Sequence, residues 1–457
     1  MAVIKNTGSF RDPSGFVYTQ KGKIFRQVNT YYKKEYDKLM NSGLYTELTD
    51  KSLLVKHKEV SQPGAGKGAY KTIQPEKIGF ISYPYEWSFS QLKDAALLTL
   101  EIQKIAMSRG MSLKDASAYN VQFLRGKPIF IDTLSFEIAV SPKPWVAYKQ
   151  YCQHFLAPLS LMAHTDVALS KLLSAYIDGV PLDLASKLLP KRSRFSFGIA
   201  THIHMHAKSQ KRHASSAKSS VKTRTISRNA LTGIINNLVN TTKKLQWKQD
   251  NTEWGEYYTF TNYNDKSFAQ KRKTIEQFIN KVKPQNVWDL GANNGLFSRI
   301  ASEKNIPTVA FDIDPIAVEA NYIKTKEDKD ELILPILMDL TNPSPALGWA
   351  HAERQSMEQR GPTDMIFSLA LIHHLAISNN LPLEAVADYF ARLGTYLVIE
   401  FVPKGDSQVN ILLATREDIF PNYTEDGFEK AFKSRYSVVQ KAKIKGSKRT
   451  LYLMKKK

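Results

Sequence analysis

Cysteine is scarce in this sequence, and its scarcity excludes several classes of protein. Cys152 is the single cysteine among 457 residues. One thiol cannot form an intramolecular disulfide framework or a cysteine-rich metal site, so a disulfide-stapled secreted fold is excluded. We therefore expect a protein of the reducing cytoplasm.

Long apolar runs and a signal pattern are also missing. No uninterrupted apolar stretch approaches the roughly 18 residues that a membrane-spanning helix needs, and the first residues do not read as a signal peptide. We expect no transmembrane association. The hydrophobic fraction of 42% is enough for the buried cores of two or three domains.

Acidic residues are too few to balance the basic ones. The chain has 64 Lys and Arg residues against 43 Asp and Glu residues, a formal charge of +21. Ten basic residues and no acid lie between Lys191 and Arg228, which predicts a basic His-, Lys- and Ser-rich linker over 191–228. Charge alone would let this linker contact phosphate or a membrane surface, but residues 208–224 carry no aromatic side chain for stacking on bases.

The sequence does contain a strand-turn-helix-strand unit in its C-terminal half. Apolar strands are predicted for Val287–Leu290 and Thr308–Ile313, with an amphipathic helix between them. The turn after the first strand contains Gly291 and Gly295, and Asp312 lies near the end of the second strand. This is the general nucleoside-binding plan of doubly wound sheets.

The spacing of the glycines distinguishes one nucleoside ligand from another. A dinucleotide fold would show G-x-G-x-x-G, whereas this turn reads Asp-Leu-Gly-Ala-Asn-Asn-Gly, with an asparagine that tolerates left-handed backbone between the glycines. The turn resembles motif I of the class I S-adenosylmethionine (SAM) methyltransferases. The resemblance implies SAM as cofactor, with Asp312 on the ribose hydroxyls and Asp339 near the adenine. The cofactor-binding residues so predicted are Asp289, Gly291, Asn293, Gly295, Asp312, Asp339 and Leu340.

The remaining strands of the C-terminal half arrive in the order that such a fold requires. Further strands are predicted at 332–338, 364–371, 396–402, 436–444 and 450–454. Together with the first two they predict an α/β domain over 284–457, a Rossmann-like seven-stranded class I methyltransferase sheet, mostly parallel with one reversed strand.

Candidate catalytic residues follow two of these strands. His373 and His374 stand beyond the fourth strand, where the acceptor would meet the methyl group, and a histidine pKa near ~6.5 suits a general base. Glu400, near the end of the fifth strand, is a second acid-base or orienting candidate. The long connection from Asp339 to Gly361 is expected to be a lid or binding loop. Its Asn-Pro-Ser-Pro follows the third strand, not the fourth, and this position argues against methylation of base amines.

Residues 1–190 are predicted to form an accessory α+β domain. It should begin with a hairpin, Gly15–Tyr18 with Lys23–Val28, and contain a long helix from about Ser90 to Ser108. Asp115, Asn120 and Asp132 around a short hairpin resemble the catalytic segment of kinase-like phosphotransferases, in which such groups position the hydroxyl and hold Mg²⁺. The alternative is a degenerate kinase-like lobe, or a helix and hairpin that resemble one without its activity, because Lys56 is the one candidate for an ATP-binding lysine. Residues 63–68 read as a flexible loop and not as a phosphate-binding loop.

Two segments between the domains leave alternatives open. His202, His204 and His206 alternate as metal ligands on a strand would, but equally suit a half-buried strand or an interfacial segment, and we assign no metal site. Residues 229–283 are predicted to be a helical lead-in to the methyltransferase domain, with aromatic residues between 247 and 263 that either cover the cofactor or pack on the sheet.

Several motifs together resemble a narrower bacterial group, the methyltransferases related to the nodulation protein NoeA. They are Asp-Leu-Thr-Asn-Pro-Ser-Pro, Leu-Ala-Leu-Ile-His-His-Leu-Ala and Glu-Phe-Val-Pro-Lys-Gly-Asp, with Asp-Pro-Ser-Gly-Phe-Val near the start. The group implies SAM-dependent methyl transfer and leaves the acceptor open. We predict that the acceptor is a hydroxyl or amine of a small molecule or glycoconjugate precursor, deprotonated by His373 or His374. The rivals are an RNA methyltransferase that docks through 191–228 and a SAM-binding scaffold without turnover.

Overall fold

The computed structural model describes residues 3–61, 66–140, 143–208, 225–248, 265–414 and 416–457. Contacts divide the chain into two units. The first comprises Met1–Gln249 and Leu347–Arg354, and the second comprises Asp250–Ala346 and Gln355–Lys457. Among the described residues, no helix is both long and apolar enough to cross a membrane.

The first unit begins with a five-stranded antiparallel sheet. Its strand order is β1-β2-β3-β5-β4. The predicted hairpin is present, because Lys21 and Gly22 in the turn both take left-handed backbone, with φ of 50° and 72°. Val28 and Ile73 pack from the sheet against Tyr32 and Tyr36. The strands are β1 Ile4–Lys5, β2 Gly15–Gln20, β3 Lys23–Asn29, β4 His57–Glu59 and β5 Ala69–Pro75.

Most of the first unit outside this sheet is helical, apart from two small strand pairs. The longest helix runs from Phe89 to Ser108 and begins with a capping box. The Ser88 hydroxyl accepts from the backbone amide of Gln91, and the Gln91 side-chain oxygen accepts from the backbone amide of Ser88. The helices are α1 Lys33–Asn41, α2 Leu44–Asp50, α3 Phe89–Ser108, α4 Tyr148–Tyr151, α5 Ala157–His164, α6 Leu172–Ala175, α7 Leu182–Leu188, α8 Phe197–Ile199 and α9 Arg228–Lys244.

Two small antiparallel pairs frame the predicted phosphotransferase segment. Strand β6, Met111–Leu113, pairs with β9, Phe136–Ile138, and the hairpin expected between Asn120 and Asp132 is formed by β7, Val121–Leu124, and β8, Lys127–Phe130. Residues 62–65 of the predicted flexible loop lie outside the described residues.

The basic segment differs from its prediction. The histidines were expected on a strand, but Lys191–Phe195 form a 3₁₀ turn and Ala200–Met205 a π-helical turn on either side of α8. Strand alternation is therefore wrong for His202, His204 and His206. Residues 209–224 and most of the aromatic cluster, residues 249–264, lie outside the described residues, and α9 belongs to the first unit.

The second unit is built on the seven-stranded sheet predicted from the sequence. Its strand order is β12-β11-β10-β13-β14-β16-β15, and β16 alone runs against the others. The central strands are apolar because helices cover both faces. The strands are β10 Val287–Leu290, β11 Thr308–Asp312, β12 Ile333–Leu337, β13 Thr363–Ser368, β14 Gly394–Phe401, β15 Tyr436–Lys443 and β16 Thr450–Lys456.

Helix α10 packs an apolar face into the core beside this sheet. Its Ile275, Phe278 and Ile279 are buried with Val287 and Phe367 in the main core of the unit. The helices are α10 Asp265–Val282, α11 Ser298–Ser302, α12 Pro315–Glu327, α13 Leu383–Leu393, α14 Ser407–Leu413 and α15 Glu425–Lys433. The order of parallel strands and helices leaves the carboxyl ends of β10 to β14 on one edge, where open α/β sheets bind ligands.

Candidate active site

The glycine-rich turn after β10 requires both of its glycines. Gly291, Asn293 and Gly295 all have left-handed backbone, with φ of 78°, 49° and 78°. A Cβ atom on Gly291 would lie 3.1 Å from the Leu371 side chain, and one on Gly295 would lie 2.4 Å from Asn321. A side chain at Gly295 would therefore clash with Asn321, and one at Gly291 would crowd Leu371, so both positions need a residue without a Cβ atom.

Carboxylates end the two strands beside this turn. Asp312 accepts hydrogen bonds from the backbone amides of Asn293, at 2.7 Å, and Asp314, at 2.9 Å. Burial raises the pKa of Asp312 to about 6, although these amides favour its ionised form. After β12, Asp339 accepts from both the amide and the hydroxyl of Thr341, at 2.8 and 2.6 Å. Both carboxylates are thus held in fixed orientations by the chain itself.

Asp289 is a third carboxyl group, at the end of β10. It is 1% exposed and accepts a hydrogen bond from the Ser298 hydroxyl at 2.6 Å. Burial raises the pKa of Asp289 to about 7. This group therefore changes its protonation near neutral pH, unlike an exposed aspartate.

A pocket of about 310 Å³ opens where these groups meet. Its walls lie within the second unit and include Phe268, Lys271, Phe297 and Leu412 in addition to the strand ends. Seven predicted residues line it, namely Asp289, Gly291, Asn293, Asp312, Asp339, Leu340 and His374. Gly295, His373 and Glu400 are not among the described residues of its wall.

The two neighbouring histidines have different surroundings. His374 lines the pocket, and burial lowers its pKa to about 4, with a smaller contribution from the charge of Arg449. His373 is fully buried, and neither ring nitrogen has a hydrogen-bond partner among the described residues. Burial also lowers the pKa of His373 far below its usual range. His374 is therefore a neutral imidazole at the pocket wall, whereas His373 is not among the described residues of that wall.

Glu400 faces a lysine that the sequence analysis missed. Its Oε2 lies 2.7 Å from Nζ of Lys271, and the side chains are 0% and 2% exposed. Burial lowers the pKa of Lys271, and the Glu400 carboxylate opposes that shift. The Lys271 ammonium also lies 4.4 Å from the ring centre of Phe297. Glu400 is thus paired with Lys271, which lines the pocket, and is itself not among the described residues of the pocket wall.

A sequence signal for Lys271 existed. Phe268, Lys271, Ile275 and Phe278 share one face of α10 at helical spacing, so the lysine stands in an otherwise apolar stripe. A charged residue at such a position is buried against the core and needs a partner. The partner, Glu400, could not be identified without the fold, because it is 129 residues away.

Part of the long connection after β12 belongs to the first unit. Within that unit, Glu353 pairs with Arg11 at 2.6 Å, and the Arg354 guanidinium lies 4.0 Å from the ring centre of Tyr119. The Glu353 carboxylate also accepts from the Trp349 amide at 2.7 Å. The connection is thus an anchored segment at Leu347–Arg354, while Asp339 at its start lines the pocket.

The first unit gathers the three predicted phosphotransferase residues. Asp115 has its pKa raised by burial and by the charge of Asp132, and it accepts from the Asn120 side chain. Asp132 is paired with Arg26 of β3 at 2.6 Å. Arg26 is thus the basic residue that pairs with Asp132, whereas the side chain of Lys56, which the sequence suggested as the ATP-binding lysine, is exposed.

Two of the three alternating histidines, His202 and His204, are hydrogen-bonded through both ring nitrogens. His202 lies between the Tyr148 hydroxyl at 2.6 Å and Asn237 at 2.8 Å, and His204 lies between Ser186 at 2.7 Å and Ser193 at 2.8 Å. The searched, described part of the chain contains no group of three or more His, Cys, Asp or Glu residues placed to hold a metal ion. These rings hold helical turns together.

A comparison with curated proteins identifies the family. The chain is 35% identical over 456 residues to the nodulation protein NoeA of Rhizobium meliloti, and the alignment covers 97% of this chain and 94% of the relative. The chain belongs to the NoeA family. No family model matches this NoeA-family chain.

Solved structures similar to this NoeA-family chain are distant. A co-crystal structure of WbdD with the kinase inhibitor LY294002 aligns at 16% identity and a TM-score of 0.31, covering 44% of this chain and 43% of that one. Magnesium protoporphyrin IX methyltransferase of Synechocystis with bound SAH aligns at 16% and 0.31, covering 42% and 84%. The N-methyltransferase NodS of Bradyrhizobium japonicum aligns at 12% and 0.29, covering 42% and 98%. Such low scores leave the argument to the geometry of the site itself.

Proposed function

We propose that the chain is a SAM-dependent methyltransferase whose second unit has the class I methyltransferase fold. The pocket at the carboxyl ends of the parallel strands carries this proposal, because it combines a narrow glycine turn with carboxylates on the next two strands. The chain is related to the nodulation protein NoeA, whose name does not specify a methyl acceptor.

The residues present fit SAM by their chemistry. Gly291 packs against Leu371, which a Cβ would crowd, and it lines the pocket, where its backbone would border the methionine part of the cofactor. Asp312 would accept from the ribose hydroxyls, and Asp339 with Leu340 would border the adenine. The Lys271 ammonium, which also interacts with the charge of Asp289, would pair with the methionine carboxylate. Bound SAM supplies a methyl group already activated on a sulfonium.

We assign removal of the proton from the methyl acceptor to His374. A pKa of about 4 leaves this imidazole neutral but weakly basic at neutral pH, so it would take the proton from the acceptor hydroxyl or amine as the methyl group is transferred, when that proton becomes acidic. Ser378 and Asn379 line the pocket next to it and offer polar groups for a small acceptor. A hydroxyl or amine of a small molecule or glycoconjugate precursor is the proposed acceptor.

Replacing His374 by alanine is expected to lower methyl transfer by about 100-fold or more, since general base catalysis contributes roughly 10² to 10⁴. Affinity for S-adenosylhomocysteine should change by less than about threefold. Transfer from methyl-labelled SAM into a small-molecule cell extract gives the rate, and calorimetry gives the affinity. His351→Ala, at an exposed histidine of the first unit, is the control. Equal rates for both variants would show that His374 is not the base.

Calorimetric titration of the whole chain with S-adenosylhomocysteine tests the proposed function. We expect one site per chain, and no binding would refute the cofactor assignment. Separate titration with Mg-ATP tests the second candidate function, nucleotide binding at Asp115, Asn120 and Asp132, which Arg26 beside Asp132 favours. Binding of S-adenosylhomocysteine without label transfer to any extract would favour a scaffold, and label transfer to RNA would favour the RNA methyltransferase.

A further inference from the structure

Residues 191–205 of the first unit bury Ile199 and Ile203 but leave three other large apolar side chains exposed. Ser193 is 3% exposed and its hydroxyl lies 2.8 Å from Nε2 of His204. Phe195, by contrast, is 92% exposed, Phe197 is 73% exposed and Met205 is 64% exposed. Burying a phenylalanine yields about 1.5–3 kcal/mol, so a fold gains nothing from turning two of them outward. Exposed apolar groups collected in one segment indicate an interaction surface.

This arrangement is firmly held by its neighbours. Gly198 lies so close to α9 that a Cβ atom would stand 1.9 Å from the Thr241 hydroxyl oxygen. His202 is fixed between Tyr148 and Asn237. The backbone is therefore anchored by Gly198 and His202 after the two exposed rings and by the Ser193–His204 hydrogen bond before them.

The same segment is strongly basic. Lys191, Arg192 and Arg194 are exposed beside the two phenylalanines, and Lys208 follows Met205. Residues 191–208 contain no aspartate or glutamate. Apolar side chains that enter the boundary between headgroups and acyl chains, flanked by Lys and Arg, are the elements of binding to an anionic membrane surface.

We propose that this basic-aromatic surface, formed by Lys191, Arg192, Arg194, Phe195, Phe197 and Met205, docks the protein on an anionic phospholipid bilayer. The phenylalanines and the methionine enter the interface, and the cationic groups contact the headgroup phosphates. RNA is the weaker candidate, because stacking on bases uses aromatic platforms along a basic groove, whereas Met205 offers no stacking face. The proposal is independent of the methyltransferase activity.

Sedimentation of the full chain with vesicles tests this surface. We expect binding to phosphatidylcholine vesicles that contain phosphatidylglycerol, and little to phosphatidylcholine alone. Phe195→Ser with Phe197→Ser should weaken binding at least about tenfold. Arg192→Gln with Arg194→Gln should weaken it about 25-fold, at about fivefold for each charge near the surface. Added salt should weaken the wild type more than the arginine variant.

Matched changes elsewhere on the first unit are the controls. Tyr31→Ser removes an aromatic ring that is 74% exposed, and Lys104→Gln with Lys127→Gln removes two exposed charges. Both should bind vesicles as the wild type does, with unchanged melting temperatures for all variants. Equal loss in controls and surface variants, or no binding by the wild type, would overturn the proposal. So would weaker binding of the surface variants to a single-stranded RNA with no change on vesicles.

Discussion

Replacing Asp312 by alanine is expected to weaken binding of S-adenosylhomocysteine by about 100-fold or more. Two hydrogen bonds from ribose hydroxyls to a charged acceptor are worth about 1.5–3 kcal/mol each, and every 1.4 kcal/mol is about tenfold in affinity. The alanine variant also loses the acceptor for the Asn293 and Asp314 amides, which shape the turn. Asp312→Asn keeps an acceptor for one of these two amides, so a large loss in both variants with wild-type melting temperatures assigns the effect to the ribose.

The pH dependence of the affinity for S-adenosylhomocysteine distinguishes the effect of the Asp312 charge from that of the side-chain shape. Hydroxyl groups donate to an ionised carboxylate, and burial raises the pKa of Asp312 to about 6. Affinity for S-adenosylhomocysteine should therefore rise as the pH rises from about 5 to about 7 and then level off. Asp312→Asn should bind weakly with a flatter profile. Glu384→Gln, at an exposed position of the same unit, is the control, and wild-type affinity in Asp312→Asn would contradict the cofactor assignment.

The sequence predicted the scaffold of the site better than its interior. The seven strands and their one reversed member followed from apolar runs and turns, and Asn293 has the left-handed backbone for which asparagine is suited. Ranking of His373 against His374 required side-chain burial, which adjacent residues on a short turn do not reveal. The helical turns at His202 were missed because alternating His, Ile and Met also suits a strand, and only the contacts with Tyr148 and Asn237 decide between them.

Partners distant in sequence were the second kind of omission. Arg26 reaches Asp132 from a strand of another sheet, and Lys271 meets Glu400 across the core of the second unit. Each basic residue compensates a buried or half-buried acid, a requirement that is visible only when the burial of the acid is known. The sequence therefore identified the acids and left their counter-ions unassigned.

Glu400→Gln is expected to lower the free energy of unfolding by about 3–5 kcal/mol, since removing one partner of a buried ion pair leaves the other charge uncompensated. The melting temperature should fall by roughly 10 °C. Glu358→Gln removes one partner of an exposed pair with Arg392, 3.6 Å apart, and should cost less than about 1 kcal/mol. Chemical denaturation gives both values, and similar losses for the two variants would show that the Lys271–Glu400 pair does not hold the fold.

The double variant Lys271→Met with Glu400→Leu separates stability from cofactor binding. Replacing a buried pair by apolar groups of similar volume is often neutral or stabilising, so the double variant should recover most of the lost stability. It should still bind S-adenosylhomocysteine at least about tenfold more weakly, because the charge opposing the methionine carboxylate is gone. Its affinity for 5′-methylthioadenosine, which has no carboxylate, should stay near that of the wild type. Equal losses for the two ligands would place Lys271 in the packing of the pocket alone.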